Sequence, residues 1–164
     1  MPPKLGPLAG KDNGRHAAPM KHPVIRPAEP RDTAALTRAI DAAYATYEGR
    51  GLSLPPVSDG VAEAIAETPV FVAETAAGVV GGLILRLGDA AKIENIAVAP
   101  DGAGQGIGGA LMKRAEDVAR RAGYDRVTLA THAGLTETLR FYARLGWAET
   151  GHEGDRVFLA RRLD

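Results

Sequence analysis

Five glycines within eight positions, Gly102 to Gly109, constrain the fold of this chain more than any other feature. They lie between a predicted strand, Lys92 to Val98, and residues whose apolar side chains recur at helical spacing. Glycine lets the backbone approach a ligand closely, and the first N–H groups of a helix have no intrahelical partner and favour an anion. The segment therefore predicts a phosphate-binding loop. The alternative is a tight connection without a ligand, although five glycines are more than a turn requires.

Two familiar nucleotide loops do not fit this segment. Gly104, Gly106 and Gly109 match the G-x-G-x-x-G spacing, but a dinucleotide site turns directly from its strand into the glycines, and here residues 99–103 intervene. The following strand does not end in an acid that could hold a ribose, and too little chain remains for a doubly wound sheet. A Walker A loop is excluded because no Gly-Lys-Ser/Thr follows.

Hydrophobic periodicity divides residues 24–164 into strands and helices. The predicted strands are Val24–Arg26, Val70–Glu74, Val79–Arg86, Lys92–Val98, Arg126–Thr131, Trp147–Thr150 and Arg156–Ala160. Predicted helices are one capped by Asp32 and ended by Gly49 and Gly51, then Asp59–Glu67, one from Ile107 to Gly123, and Thr136–Leu145. A strand–helix–strand unit around the glycine loop makes the sheet locally parallel, and the hairpins make it mixed. The predicted class is α/β, with about six to seven strands flanked by helices.

Composition restricts the class of protein further. At 164 residues the chain is expected to form one domain, residues 24–164, after a flexible leader, residues 1–23, which carries four basic side chains and one acid. Cysteine is absent, which excludes disulfides and thiolate chemistry and is typical of a cytoplasmic protein. The formal net charge of zero and the lack of a long apolar run predict neither a nucleic-acid nor a membrane partner. The four histidines show no metal-ligand spacing.

From Ile93 to Trp147 the sequence resembles the GNAT superfamily of acyl-CoA-dependent N-acyltransferases. One matching segment is Ile96-Ala97-Val98-Ala99-Pro100 followed by Gly104-Gln105-Gly106-Ile107-Gly108-Gly109-Ala110-Leu111. Another is Ala122-Gly123-Tyr124 with Leu139-Arg140-Phe141-Tyr142-Ala143-Arg144-Leu145-Gly146-Trp147, which is similar to the family's Tyr-x-x-x-Gly-aromatic ending. The predicted order of elements fits the GNAT fold from Val24 to Leu163.

The resemblance implies that acetyl-CoA lies in a V-shaped opening between the predicted strands Lys92–Val98 and Arg126–Thr131. The pantetheine would then pair with the backbone of Ile96, Ala97 and Val98. The pyrophosphate would rest on amides of residues 104–109, namely Gly104, Gln105, Gly106, Ile107, Gly108 and Gly109. Two positions depart from the family pattern. Ala103 replaces the usual Arg or Gln, and Thr138 stands where a cofactor-facing Asn is common.

The same resemblance makes Tyr142 the expected acid, because this tyrosine commonly points at the thioester sulfur. A core tyrosine on a Leu135–Leu139–Tyr142 stripe is the alternative. Glu94 is the expected base for the amine, on the assumption that alternate residues place it on the strand face of Lys92 and Ile96. A salt bridge with Lys92 or Arg126 is the alternative for Glu94. The amide N–H of Val98 is the expected oxyanion donor.

The resemblance implies a small-molecule or peptide amine as the acceptor and leaves its identity unspecified. Tyr44, Tyr47 and Arg50 lie at the end of the first long helix, where the superfamily often forms its acceptor pocket, and Arg50 would suit an anionic acceptor. His132 is a further candidate beside the acceptor. Dimers are frequent in the superfamily, so a homodimer is a partner to consider. Two functions stay open: an acetyl-CoA-dependent N-acetyltransferase, or a catalytically weak acyl-CoA-binding or regulatory module.

Overall fold

A computed structural model describes residues 22–48 and 58–164 as seven strands and four helices. The strands are β1 Val24–Pro27, β2 Val70–Thr75, β3 Gly78–Leu87, β4 Ala91–Val98, β5 Arg126–His132, β6 Ala148–Glu153 and β7 Arg156–Arg162. The helices are α1 Thr33–Glu48, α2 Val61–Glu67, α3 Ile107–Arg121 and α4 Thr136–Arg144. Short 3₁₀ turns precede α1 and α3. The predicted elements are therefore all present, with ends displaced by one to a few residues. The predicted leader lies almost wholly outside the described residues, as do Gly49, Arg50 and Gly51.

All seven strands join one mixed sheet, in the order β1-β2-β3-β4-β5-β7-β6. Strands β4 and β5 are parallel, and every other neighbouring pair is antiparallel. Only three residue pairs join β4 to β5, and the last is Ile93 with Leu129. Beyond that pair the two strands separate, so residues 94–98 of β4 face β5 without strand pairing. The prediction of a mixed sheet that is locally parallel at the two strands joined by the glycine loop and its helix is confirmed.

Helices cover the two faces of the sheet unequally. On one face α3 and α4 pack over a core that includes Leu111, Tyr142 and Trp147. On the other face α1 and α2 pack over a smaller core that includes Leu36 and Val72. This second core contains no residue of β5, β6 or β7, so among the described residues the apolar packing of α1 and α2 leaves that part of the sheet uncovered. The uncovered part borders the site described below.

Asp32 is not the N-cap residue that the sequence predicted; it is the third residue of a capping box whose N-cap is Glu29, at the start of the 3₁₀ turn before α1. Its carboxylate, 4 % exposed for the residue, accepts hydrogen bonds from both terminal nitrogens of Arg26, at 2.8 and 3.0 Å, and from the amide of Glu29. Arg26 also donates to Glu74 on β2 at 3.1 Å. The buried aspartate therefore ties the chain before α1 to the sheet, because a buried carboxylate is stable only with its partners in place.

Candidate active site

A narrow crevice of about 60 Å³ opens where β4 and β5 separate. It is lined from four elements and the loop before α4 by Tyr44, Tyr47, Ile93, Glu94, Asn95, Ile96, Leu129, Ala130, Thr131, Leu135, Thr138 and Tyr142. The backbone of residues 94–98 at its rim has no strand partner on the β5 side, and backbone polar groups need one. The crevice can therefore accept an extended ligand that pairs with β4 in place of a strand.

Tyr142 lies in the wall of this crevice, on α4. The residue is 4 % exposed, and its ring packs against Phe141 and Trp147 at centroid distances of 5.4 and 6.0 Å. Burial, with a smaller contribution from the neighbouring phenols of Tyr44 and Tyr47, raises the pKa of Tyr142 well above its usual value. The phenol therefore keeps its proton at neutral pH, and the aromatic neighbours fix the ring. This position is compatible with both predicted roles of Tyr142, the acid and the core tyrosine, because a core side chain here also borders the crevice.

The glycine loop runs from the end of β4 into α3, as predicted. Gly104 and Gly106 adopt left-handed φ values of 78° and 73°, which only glycine adopts without strain. A Cβ on Gly108 would lie 3.1 Å from the ring of Phe141, so packing against α4 explains this glycine. A Cβ on Gly109 would meet nothing within 4 Å. Neither the backbone conformation nor packing within the described chain therefore requires a glycine at position 109. The space beside Gly109 is open to a ligand.

Glu94 occupies a β-bulge, which changes the face assignment made from alternation. Ile84 pairs with Asn95 and Leu85 pairs with Ile93, so Glu94 has no opposite residue on β3. The extra residue shifts the alternation, and Ile96 packs against the core on the α3 side while Glu94 faces the α2 side. The expectation that Glu94 and Ile96 share a face was wrong, because that expectation assumed a regular strand.

The carboxylate of Glu94 pairs with Arg86, and neither Lys92 nor Arg126 is its salt-bridge partner. Arg86 donates from Nε to Oε2 at 2.6 Å and from Nη2 to Oε1 at 3.1 Å. These hydrogen bonds, supported by the charges of Arg86 and Lys92, lower the pKa of Glu94 against the opposing effect of partial burial. Glu94 is therefore ionised at neutral pH and lies at the rim of the crevice.

A second, larger cleft of about 490 Å³ adjoins the crevice on the α2 side of the sheet. We call it the charged cleft. Its lining consists of Asp59, Gly60, Glu63, Ala64, Glu67, Ile84, Arg86, Lys92, Ile93, Glu94, Asn95, Ala130 and Arg156. Apart from Glu94, none of these residues was predicted to lie in a site. The four-residue spacing of Asp59, Glu63 and Glu67 was a visible signal in the sequence, but these acids and Arg156 lie far apart in the chain.

The remaining predicted residues divide between the crevice and its surroundings. Thr138, Tyr44 and Tyr47 line the crevice, and the rings of the two α1 tyrosines form an edge-to-face pair at 5.4 Å. His132 lines neither cavity. Its Nδ1 accepts the amide hydrogen of Gly134 at 2.8 Å, and its Nε2 lies 3.8 Å from the carboxylate of Asp155. These contacts hold the imidazole of His132 in the turn after β5.

Residues 22–48 and 58–164 contain neither of two other kinds of feature, a metal-binding cluster or a membrane-spanning helix. No three histidine or acidic side chains there are grouped so that they could hold a metal ion. No helix in these ranges is long and apolar enough to cross a bilayer.

The splayed strands, the glycine loop and the buried tyrosine form the arrangement that the resemblance to the GNAT superfamily implied. The family model described as "Acetyltransferase (GNAT) family" matches residues 37–147. That range spans more than half of the chain and contains the crevice, the loop and α4. The chain therefore belongs to the GNAT acetyltransferase family, which confirms the resemblance of its motifs.

Solved structures with the same fold align with most of the chain. PaiA N-acetyltransferase from Thermoplasma acidophilum, in complex with coenzyme A, is similar with a TM-score of 0.75 and 15 % identity, covering 85 % of this chain and 98 % of its own. Ribosomal-protein-S18-alanine N-acetyltransferase from Escherichia coli is similar with a TM-score of 0.72 and 21 % identity, covering 87 % of this chain and 94 % of its own. YncA from Salmonella typhimurium, with its cofactor acetyl-CoA, is similar with a TM-score of 0.68 and 23 % identity, covering 88 % of this chain and 95 % of its own. No curated protein sequence matches significantly. At these identities the likeness establishes the fold.

Proposed function

We propose that this protein transfers the acetyl group of acetyl-CoA to an amine by direct attack in a ternary complex. The observation that carries the proposal is the position of Tyr142, a protonated and buried phenol in the crevice where β4 and β5 separate. The glycine loop begins at the far end of the same β4. Two of the similar structures contain coenzyme A or acetyl-CoA, which supports the same ligand here.

The residues of the chain fit such a ligand. The amides of the left-handed turns and of the first turn of α3, from Gly104 to Gly109, would hold the pyrophosphate, because the first N–H groups of a helix have no intrahelical partner. The unpaired edge of β4 at Ile96, Ala97 and Val98 would pair with the pantetheine amides. Ala103 is exposed and adds no side-chain donor, so the backbone alone would bind the diphosphate. The bound thioester supplies an activated acyl carbonyl.

The chain's own groups would then manage the protons and the developing charge. As the amine nitrogen bonds to the acyl carbon and the C–S bond breaks, Tyr142 would donate its phenolic proton to the leaving sulfur. The N–H of Val98 would stabilise the negative oxygen. Glu94, kept ionised by Arg86, would accept the proton that the amine loses, directly or through a water.

The test combines binding and turnover. Acetyl-CoA should raise the melting temperature, and a panel of amines should release free CoA. Failure of the chain to bind acetyl-CoA would contradict the proposal. Stabilisation by acetyl-CoA with no CoA release from any amine would instead support a catalytically weak acyl-CoA-binding module.

A further inference from the structure

The charged cleft has walls of opposite sign. On the α2 side the cleft is lined by three acids: Glu63 and Glu67, one turn apart on the same side of α2, and Asp59 in the turn that precedes the helix. On the sheet side the cleft is lined by Arg86, Lys92 and Arg156. Within the described residues no salt bridge of 4 Å or less joins the α2 acids to these cations. The charges therefore face each other across open space.

The three cations of the sheet wall are not equivalent. Arg86 is held by Glu94 in two hydrogen bonds. Lys92 and Arg156 form no salt bridge with any described carboxylate, and both are exposed. The guanidinium of Arg156 lies 5.2 Å from the ring centre of Phe158, which supports it over the uncovered face of the sheet. Lys92 and Arg156 are thus the two cations of the cleft that can bind an anion.

Strand register places these two cations on either side of Ala130. Lys92 pairs with Thr128, two residues before Ala130 on β5, and Arg156 pairs with His132, two residues after it. The small side chain of Ala130 leaves room between them. A carboxylate above Ala130 is within the reach of both long side chains, and such charge-assisted contacts are among the stronger ones in proteins.

The charged cleft also communicates with the crevice of Tyr142. Ile93, Glu94, Asn95 and Ala130 line both cavities. A molecule whose anionic group lies above Ala130 can therefore present its amine at Glu94, on the way to the crevice. The cleft volume of about 490 Å³ is within the range of small-molecule sites.

We propose that the acceptor is an aminocarboxylate, an amino acid or a short peptide, bound by its carboxylate between Lys92 and Arg156. The acidic wall of α2 attracts the ammonium form and aligns the dipolar molecule against the basic wall. This inference rests on the proposed acetyltransferase function and adds the class of its acceptor.

The experiment compares L-amino acids with their carboxamides, which keep the amine and lose the negative charge. We expect kcat/KM to be at least tenfold higher for the acids. The carboxamide amines are the less basic, so more of each is neutral near pH 7.5, and intrinsic reactivity works against this expectation. Arg156→Gln should lower kcat/KM for the acids about tenfold and leave the carboxamides nearly unchanged. Lys92→Gln should lower the ratio of kcat/KM for the acids to kcat/KM for the carboxamides about tenfold, and the ratio is the readout because Lys92 also lowers the pKa of Glu94.

Arg162→Gln is the matched control, because Arg162 is also exposed on β7 but does not line the cleft. Equal turnover of acids and carboxamides would overturn the inference while leaving the acetyltransferase intact. An equal effect of Arg162→Gln would also overturn it, since a general charge effect would then explain the preference. Absence of acetylation with every amine would contradict the proposed function itself. Carboxamide turnover reports whether each variant is folded.

Discussion

Arg86 and Glu94 form a two-pronged ion pair at a bulge of β4, with Nε to Oε2 at 2.6 Å and Nη2 to Oε1 at 3.1 Å. Side-chain exposures of 48 % and 35 % make it a surface pair, worth less than about 1 kcal/mol of stability. Its main consequence is therefore electrostatic. It fixes the charge and the direction of the carboxylate where the charged cleft meets the crevice.

Removal of Arg86 tests Glu94 as the base. Arg86→Gln deletes the hydrogen bonds that lower the pKa of Glu94, so this pKa should rise toward its ordinary value. If Glu94 accepts the amine proton, the acid limb of kcat/KM that lies below the acceptor's own amine pKa should move to higher pH. Arg31→Gln is the control, because it breaks an exposed arginine–glutamate pair outside both cavities. An unmoved acid limb in Arg86→Gln would exclude Glu94 as the base.

Tyr142→Phe removes the phenolic hydroxyl and keeps the buried ring. We expect kcat to fall by about 10²- to 10⁴-fold, the usual contribution of a general acid, with acetyl-CoA affinity changed only a few-fold. Steady-state CoA release and calorimetric titration measure the two quantities. Tyr124→Phe is the control, since the Tyr124 hydroxyl donates to the carbonyl of Gly88 and does not line the crevice. A Tyr142→Phe enzyme with normal kcat would leave this tyrosine with a packing role only.

Two glycine-to-alanine changes, three residues apart, distinguish a glycine required by backbone conformation from a glycine required for close approach of the ligand. Gly106→Ala places a Cβ at a left-handed φ of 73° and should cost about 1–2 kcal/mol of stability. Gly109→Ala lies in the first turn of α3 with open space around it and should raise stability by up to about 1 kcal/mol. Its methyl group points toward the helix N-terminus, so acetyl-CoA should nevertheless bind more weakly. Thermal melts and calorimetric titration measure both effects. Unchanged acetyl-CoA affinity in Gly109→Ala would argue against a diphosphate at this turn.

The buried Asp32 makes the free energy of unfolding depend on pH in the acidic range. Hydrogen bonds from Arg26 lower the pKa of Asp32 in the folded state, so its contribution is present above the unfolded pKa, near 3.9. That contribution is lost as pH falls through the lower folded value. Asp32→Asn should cost on the order of 3 kcal/mol at pH 7, because it leaves Arg26 without its partner. Denaturant unfolding from pH 2 to 7 should show the gap between the two proteins closing below about pH 4. A constant gap would contradict the ion pair.

The elements of the fold could be predicted from local patterns, because periodicity and glycine or proline punctuation act over a few residues. Strand β4 shows where this reasoning stops. Its alternating sequence predicted one face for Glu94 and Ile96, but a bulge at Glu94 separates them. A bulge depends on how β3 and β4 pair, and the sequence of β4 alone does not contain that pairing.

The sequence by itself determined the family, the glycine loop and the tyrosine of α4, because these depend on fixed spacings along the chain. Only the tertiary structure decided that Arg86 holds Glu94, and that Lys92 and Arg156 share a cleft with the acids of α2. Lys92 and Arg156 are 64 positions apart in sequence and meet through the pairing of β4, β5 and β7. Long-range pairing of this kind minimises the free energy of the whole sheet, so it brings distant charges together without leaving a local pattern.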